Sequence, residues 1–276
     1  MEITQERKQE LDRLCHKFRK NLIQILYEIQ TGHPGGSLSV CEILTTLYFQ
    51  EADIAPTNQK DPKRDKVVLC KGHAAPMLYL ILAEKGFFSK EDLKGLRQIG
   101  SHLQGHPCSR STPGVEASTG PLGYGYAQAL GMALADQADK RESYTYAVLG
   151  DGELNEGIVW ETCLNASKFQ ADHLITVVDW NKVQLDGTTR DIMPMGDLKE
   201  KFSAFGYYVA ECDGHDISAL VRAIKEAKKE KGVPSVILAH TVKGKGISFM
   251  EGKNVWHGKA INKEEYQEAM KELGGE

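Results

Sequence analysis

The strongest constraint on the fold of this chain is the alternation of short apolar segments with helix-like segments over residues 66–240. The apolar segments contain β-branched or aromatic residues and have the length of buried strands: 66–70, 144–149, 174–179, 207–211 and 235–240. Between them lie segments with helical character: 75–85, 122–137, 154–168, 197–205 and 217–229. Strands that are apolar throughout and alternate with helices predict an α/β fold, with a mainly parallel sheet covered by helices on both faces.

The segment before the first strand is predicted to be mostly helical. A long amphipathic helix reaches about Gln30 and ends where glycine and proline follow, in the sequence TGHPGGS. A second helix is expected at 38–50, and Ser89 is a predicted helix N-cap further along the chain. Residues 98–123 are expected to be irregular. Because no linker-like run and no internal repeat divides the sequence, residues 1–276 are interpreted as a single domain.

Charge and hydropathy exclude several classes of protein. The formal net charge of -4 gives no general attraction for nucleic acid or for an anionic membrane. Charged residues interrupt the amphipathic N-terminal segment, which therefore fits neither a signal peptide nor a membrane span, and we expect a cytoplasmic protein. The 6 cysteines include no CxxC pair and are expected to be reduced and packed.

Two polar residues follow neighbouring segments of the predicted sheet. Asp151 comes after the strand at 144–149 and Asn181 after the strand at 174–179, with one helix between them. Ligands of such folds bind beyond the carboxyl ends of the strands, where both side chains are expected to lie. A carboxylate and an amide oxygen suit Mg²⁺, which commonly takes its other ligands from water and from phosphates.

The glycines beside Asp151 strengthen the prediction of an anion site. Gly150 and Gly152 allow a sharp turn and the close approach of a diphosphate to the helix that is expected to begin near Leu154. An alternative interpretation is an ordinary strand-to-helix turn with Asp151 as its N-cap. The matching position of Asn181 favours the combined metal and phosphate site.

Four histidines lie in glycine-containing loops: His33 in GHPGG, His73 in KGH, His106 in QGHP and His257 in WHGK. Each one taken alone fits a turn or packing residue, but all four loops follow strands or connect helices. A neutral imidazole donates at one nitrogen and accepts at the other near pH 7, so such residues suit proton transfer. Their shared location in such loops makes all four candidates for a functional site.

Taken together, these loops resemble those of a known family. Residues 150–157 read GDGELNEG and residues 179–187 read DWNKVQLDG, a pair that resembles the signature of thiamine diphosphate enzymes. The same order of motifs is similar to the N-terminal domain of transketolases over nearly the whole chain: TGHPGG, KGHAAP, QGHP, EASTGPLGYGYAQALGMALA, GDG and WHGK. Six loops in the family's order make this resemblance specific.

The resemblance implies that thiamine diphosphate is the cofactor and that Mg²⁺ accompanies it, with Ca²⁺ or Mn²⁺ as substitutes in vitro. The metal would be held by Asp151, Asn181 and the carbonyl of Val183. The residues implied to contact the cofactor or its metal are His73, Gly120, Leu122, Gly150, Asp151, Gly152, Glu156, Asn181, Lys243 and His257.

The resemblance also assigns catalytic roles. The implied catalytic residues are His33, His73, His106, His257 and Glu156. The histidines would bind the hydroxyls and carbonyl of a ketose and move protons. Glu156 would relay between the two sites of a dimer, and the alternative for it is a simple surface glutamate.

By resemblance, the activity is transfer of a two-carbon ketol unit from a ketose phosphate to an aldose phosphate, as in the pentose phosphate pathway. Family members complete the site with a pyrimidine-binding domain from a neighbouring protomer, and they also carry a C-terminal domain. Neither domain is expected within residues 1–276. We therefore expect a separate partner chain with both domains, in an α2β2 heterotetramer with this chain. The alternative is a piece of a full-length enzyme.

Two other functions stay open at this point. A related thiamine diphosphate enzyme would act on pyruvate or another 2-oxo acid, but the histidines of TGHPGG and QGHP better suit a polyhydroxylated substrate. A non-catalytic regulatory module would keep the fold alone. The presence of Asp151, Asn181 and the four histidines favours catalysis over such a module.

Overall fold

The computed structural model describes residues 3–274 and contains a five-stranded sheet. Its strands are β1 (Lys66–Leu69), β2 (Thr145–Gly150), β3 (Leu174–Trp180), β4 (Tyr208–Asp213) and β5 (Ser235–His240). Neighbouring strands are all parallel, in the order β1-β2-β3-β5-β4. The predicted α/β fold with a parallel sheet is confirmed.

Helices precede, separate and follow these strands. Over residues 3–274 the α-helices are α1 (Gln5–Ile29), α2 (Pro34–Ser39), α3 (Cys41–Thr46), α4 (Ala75–Lys85), α5 (Tyr124–Ala138), α6 (Gly157–Lys168), α7 (Thr189–Ile192), α8 (Leu198–Ala204), α9 (Ile217–Ala227) and α10 (Lys263–Glu272). Short 3₁₀ helices include Gly72–Ala74, Lys90–Gly95, Gly152–Asn155 and Asn254–His257. In this described part of the chain, no helix has both the length and the apolar character needed to cross a membrane.

Helices cover both faces of the sheet, as the apolar strands predict. Val67 and Leu69 of β1 belong to one buried apolar cluster, which includes residues of α1, α3, α4 and α9. Val68, which points to the opposite face, belongs to a second cluster with residues of α5, α6 and α8. Because the strand buries both of its faces, each position in it needs an apolar side chain.

The segment at 38–50 differs from the single helix that the sequence predicts. Helix α2 starts at Pro34, directly after His33, and ends at Ser39. Val40 then leaves helical geometry, with φ −89° and ψ 0°, before α3 begins. A π-helix over Leu47–Glu51 completes the segment. The early start at Pro34 is consistent with the preference of proline for the first turn of a helix.

Two further boundaries are corrected near the loops. The helix expected from about Leu154 begins at Gly157, because a 3₁₀ turn occupies Gly152–Asn155 and extended backbone at Glu156 separates it from α6. Ser89 is an N-cap, as predicted, but it caps the 3₁₀ helix Lys90–Gly95 and not an α-helix.

The parallel sheet places the predicted site loops at one edge. The loops after β1, β2, β3 and β5 all leave the sheet at the carboxyl ends of their strands. Helix α2 packs over this edge, against the 3₁₀ helices Gly72–Ala74 and Asn254–His257. Segments that are far apart in the sequence therefore meet at the same place.

Candidate active site

A cleft of about 430 Å³ opens at the carboxyl edge of the sheet. The sequence-predicted site residues all line it: His33, His73, His106, Gly120, Leu122, Gly150, Asp151, Gly152, Glu156, Asn181, Val183, Lys243 and His257. The structure thus brings together side chains from loops spread over more than two hundred residues. Their roles in binding and catalysis stay predictions.

Three imidazole rings form what we call the histidine cluster: His33, His73 and His257. The ring centroid of His33 lies 5.5 Å from that of His73 and 5.4 Å from that of His257. The centroids of His73 and His257 are 4.9 Å apart. His33 precedes α2, whereas the other two lie in 3₁₀ helices, so the packing of α2 on those helices assembles the cluster.

Burial and nearby cations keep the histidine cluster neutral. Burial and the charge of Arg97 lower the pKa of His33 to about 4. Burial and Lys243 lower the pKa of His257 to about 3. Burial also holds the pKa of His73 well below its usual value. Near pH 7 the three rings therefore have one donor and one acceptor nitrogen each.

The fourth histidine, His106, lies at the rim of the cleft and is exposed. It stands beside Gly120, because a Cβ added to that glycine would lie 3.4 Å from Cγ of His106. Burial and Arg97 lower the pKa of His106, so this ring is neutral near pH 7 as well. Its position suits contact with a group that enters the cleft from outside.

The predicted metal ligands follow adjacent strands. The register of β2 and β3 pairs Gly150 with Asp179, so Asp151 and Asn181 both lie just beyond this paired position. Asp151 is 4% exposed and Asn181 8% exposed. Two oxygen-bearing side chains therefore stand next to one another in a largely dry corner of the cleft.

Backbone groups hold both side chains in place. Asp151 Oδ1 accepts a hydrogen bond from the N–H of Gly152 at 2.8 Å, and Oδ2 accepts one from the N–H of Lys182. Asn181 Oδ1 accepts from the N–H of Val183 at 3.0 Å. Asp151 is thus an N-cap, as the alternative interpretation predicted, but it caps a 3₁₀ turn. The capping side chain still lines the cleft.

The residues of this corner fit a divalent cation. Burial and the charge of Asp179 raise the pKa of Asp151 to about 7, and these effects outweigh the opposing charge of Lys71, so a cation bound here would favour the charged carboxylate. The carbonyl of Val183 accepts a hydrogen bond from Lys243 Nζ at 3.1 Å, so a cation already lies against this oxygen. Carboxylate, amide and carbonyl oxygens are the ligands that Mg²⁺ and Ca²⁺ prefer.

Two glycines let the backbone approach a ligand closely. Gly120 has φ 156°, in a region that other residues rarely adopt. A Cβ added to Gly152 would lie 3.2 Å from Cβ of Gln184, which is tighter than ordinary packing. Both glycines line the cleft, where an added side chain would reduce the space left for a ligand.

Glu156 lies at the N-cap position of α6 and is exposed, although it lines the cleft. Within residues 3–274 its carboxylate has no hydrogen-bond or ion-pair partner. The geometry is compatible both with the predicted relay to a second protomer and with the simpler surface role.

A buried ion pair below the cleft was not predicted from the sequence. Lys71 Nζ contacts Asp179 Oδ2, and the two residues are 1% and 0% exposed. Asp179 also accepts hydrogen bonds from Ser39 Oγ at 2.6 Å and from Thr241 Oγ1. Each residue has an unusual position in the sequence, since Lys71 precedes the motif Gly72-His73 and Asp179 interrupts an apolar strand. The sequence does not indicate, however, that the two side chains pair with each other.

Glu153 was also missed. Its carboxylate accepts hydrogen bonds from the N–H of Gly123 at 2.7 Å and from the N–H of Gly150 at 3.2 Å. Burial raises its pKa to about 7. The side chain therefore joins the loop before α5 to the end of β2, which are two walls of the cleft.

Comparison with known proteins agrees with this geometry. The family model for the thiamine diphosphate binding domain of transketolase matches residues 12–276. The chain is 42% identical over 268 residues to the 6-deoxy-6-sulfo-D-fructose transketolase subunit of a Clostridium species, covering 97% of this chain and 98% of that protein. It is 38% identical to an apulose-4-phosphate transketolase subunit of Phocaeicola vulgatus, covering 95% of this chain and 93% of that one.

A solved structure shows the same fold within a longer chain. The transketolase of Campylobacter jejuni superposes with a TM-score of 0.91 at 32% identity, covering 97% of this chain and 43% of that one. The chain thus spans less than half the length of that transketolase, and nearly the full length of the Clostridium and Phocaeicola proteins. This chain belongs to the transketolase family, of which it represents the thiamine diphosphate-binding domain.

Proposed function

We propose that this chain is the cofactor-diphosphate subunit of a split transketolase. It binds thiamine diphosphate and Mg²⁺ and, with a partner chain, transfers a two-carbon ketol unit from a ketose phosphate to an aldose phosphate. Residues 1–276 act as one domain in this proposal. The main support is the cleft, in which oxygen ligands for a metal lie beside a cluster of neutral histidines.

The buried corner of the cleft would hold the metal and the diphosphate. Asp151, Asn181 and the carbonyl of Val183 would hold Mg²⁺, and Ca²⁺ or Mn²⁺ would take the same oxygen ligands in vitro. Lys243, whose Nζ donates to the Val183 carbonyl in this cleft, would supply a positive charge for the diphosphate. The backbone at Gly120 and Gly152 gives the phosphates room.

The histidines bind the sugar. Thiamine diphosphate supplies the carbanion chemistry that cleaves and forms the carbon–carbon bond. Neutral His33, His73 and His257 would hydrogen-bond the carbonyl and hydroxyl oxygens of the substrate. His106 contacts the substrate at the rim.

The partner chain covers the mouth of the cleft. Large apolar side chains stand exposed in the cleft wall or close in sequence to it: Leu185 (58%) lines the cleft, Tyr124 (59%) follows Leu122, and Val255 (54%) precedes His257. Leu185 lines the cleft, and its carbonyl accepts a hydrogen bond from Asn254, the neighbour of Val255. We infer that a chain with pyrimidine-binding and C-terminal domains buries these side chains, in an α2β2 heterotetramer where Glu156 connects two sites.

Calorimetry and thermal unfolding test the binding half of the proposal. The chain is titrated with thiamine diphosphate in the presence of Mg²⁺ or EDTA, with and without a partner chain. Ligand at about 100 times its Kd stabilises the folded state by roughly 2.7 kcal/mol. Asp151→Ala should abolish this metal-dependent stabilisation. Asp12→Ala, which removes a carboxylate from α1 beside Lys8, should leave it unchanged.

The choice of substrate separates the proposal from its alternatives. The Clostridium and Phocaeicola proteins are named for a sulfonated and a phosphorylated sugar, so the donors tested are ketoses with either anionic group. Turnover of such ketoses, and not of pyruvate, supports ketol transfer. Turnover of pyruvate alone would indicate a 2-oxo acid enzyme, and absence of cofactor binding in every assembly would indicate a non-catalytic module.

A further inference from the structure

Arg97 stands behind the histidine cluster and was not singled out in the sequence. It adopts a left-handed backbone conformation with φ 62°, which is uncommon for a residue other than glycine. Its N–H donates to the carbonyl of Leu103 at 3.0 Å, which closes the 97–103 loop. Its side chain is half-buried between that loop and the segment before α2.

The guanidinium bridges these two segments. Nη1 donates to Thr31 Oγ1 at 2.9 Å, and Nη2 donates to the carbonyl of Gly105 at 3.4 Å. Nη2 also lies 3.3 Å from Nδ1 of His33. No carboxylate within residues 3–274 forms an ion pair with Arg97, so its charge acts on the histidine side of the cleft.

The chemistry of this contact decides where the proton of His33 lies. A guanidinium has only donors and remains charged at all relevant pH values. An imidazole nitrogen 3.3 Å from it therefore accepts, which requires a lone pair on Nδ1. A neutral ring with a lone pair on Nδ1 carries its hydrogen on Nε2.

We propose that Arg97 is a positioning residue that holds His33 in the Nε2–H tautomer, so that His33 donates a hydrogen bond to a substrate oxygen and does not act as a base. The identity of that substrate rests on the proposed function. The assignment of the tautomer does not, because it follows from the protein contacts alone.

The surroundings of Nε2 are consistent with this role. The hydrogen-bond contact of the His33 ring within the described residues is made through Nδ1, so Nε2 can meet a ligand. A Cβ added to Gly258 would meet Nε2 only at van der Waals distance, 3.9 Å, and His33 is among the residues that line the cleft. The ring of His73, by contrast, has no hydrogen bond in residues 3–274 that fixes its tautomer.

Nitrogen NMR of the histidine rings tests the tautomer in the chain without cofactor or partner. The His33 signals are assigned by their loss in His33→Gln. At pH 7.5 we expect a non-protonated nitrogen at Nδ1 and a protonated nitrogen at Nε2. A hydrogen on Nδ1, or a doubly protonated ring, would overturn the proposal without any need for an active enzyme.

Substitutions of Arg97 test whether this residue fixes the tautomer of His33. Arg97→Leu should convert His33 to a mixture of both tautomers, whereas Arg97→Lys should retain more of the Nε2–H form. Arg110→Leu, which removes an exposed arginine from the neighbouring loop, should leave the His33 signals unchanged. If Arg97→Leu keeps the pure Nε2–H form, Arg97 is not what holds the ring.

Kinetics of the assembled enzyme test the donor role. The amide nitrogen of glutamine occupies nearly the place of Nε2, whereas that of asparagine occupies the place of Nδ1. His33→Gln should therefore retain a higher kcat/KM than His33→Asn, by about tenfold for one hydrogen bond. Equal losses would contradict the donor role. An inactive wild-type assembly would instead count against the proposed function, and the NMR test would still decide the tautomer.

Discussion

At the scale of single residues, the Lys71–Asp179 ion pair supports the whole site. Burial raises the pKa of Asp179, but Lys71 and the hydroxyls of Ser39 and Thr241 outweigh this effect and lower it overall. Lys71 Nζ also donates to the carbonyl of Gly36 at 3.1 Å, in α2. The pair therefore connects β3, α2 and the loops on which the predicted metal ligands and histidines lie.

Removal of Lys71 should be strongly destabilising. Lys71→Met leaves the Asp179 carboxylate buried without its cation, and breaking such a pair typically costs about 3–5 kcal/mol. Urea unfolding at pH 7 measures the change. The double variant Lys71→Met/Asp179→Leu should recover part of the lost stability, because it removes the unpaired charge. A loss below about 1 kcal/mol in the single variant would contradict this account of the pair.

The lowered pKa of His33 predicts a specific pH dependence. The folded pKa of about 4 lies below the ordinary histidine value of 6.5, so between these values the unfolded chain binds more protons than the folded one. This residue therefore stabilises the fold fully above pH 6.5, and its contribution is lost as pH falls toward 4. Stability measured from about pH 7 down to the folded pKa should decline less steeply in His33→Gln than in the wild type. The same pH dependence of stability in the variant and the wild type would contradict the lowered pKa of His33.

At the scale of elements, the ends of parallel strands bring the site together. The alternation of strands and helices was sufficient to predict that Asp151 and Asn181 lie side by side, because parallel strands end at one edge. The break at Val40 and the 3₁₀ turn after Asp151 were not predictable in the same way. They depend on packing and on capping contacts between segments that the local sequence does not show.

The contacts between charged or polar side chains were likewise not predictable from the sequence. Lys71 and Asp179 are 108 positions apart, and Arg97 and His33 are 64 apart. The motifs around these residues indicated polar side chains in loops. Which of the side chains contact each other depends on the register of the sheet and on the packing of α2. Conversely, the glycine-flanked histidines were predictable because their motifs mark loops directly.

Glu153 connects two structural elements, and its contribution to stability can be measured. Glu153→Ala leaves the N–H groups of Gly123 and Gly150 without their shared acceptor, which should cost about 1–3 kcal/mol of unfolding free energy. Glu153→Gln retains an amide oxygen and should lose less. Chemical denaturation of both variants provides the measurement, and equal losses would show that the hydrogen bonds do not account for the effect.

At the scale of the whole molecule, large exposed apolar side chains lie in the cleft wall or close in sequence to residues that line it. Tyr124, Leu185 and Val255 are all more than half exposed, and Leu185 forms part of the cleft wall. Large exposed apolar side chains grouped beside a site are typical of a surface that another chain covers. The carboxylate of Glu156, which also lines the cleft, has no partner in the described part of the chain.

A charge on this surface should weaken assembly. Leu185→Asp should raise the Kd for the partner chain at least about tenfold, because a carboxylate would be buried in the interface. Phe169→Asp is the matched control, since Phe169 is 50% exposed but follows the far end of α6. Analytical ultracentrifugation of mixtures measures both, and equal effects would mean that the partner does not bind at the cleft mouth.

Reconstitution of ketol transfer from separate chains tests whether this chain is half of a split transketolase. The chain, a partner chain with pyrimidine-binding and C-terminal domains, thiamine diphosphate and Mg²⁺ are combined, and transfer from a ketose phosphate to an aldose phosphate is followed. We expect turnover of the ketose phosphate only when both chains, cofactor and metal are present. We expect none when the Asp151→Ala variant replaces the wild-type chain. Full turnover by this chain alone, or undiminished turnover with Asp151→Ala, would contradict it.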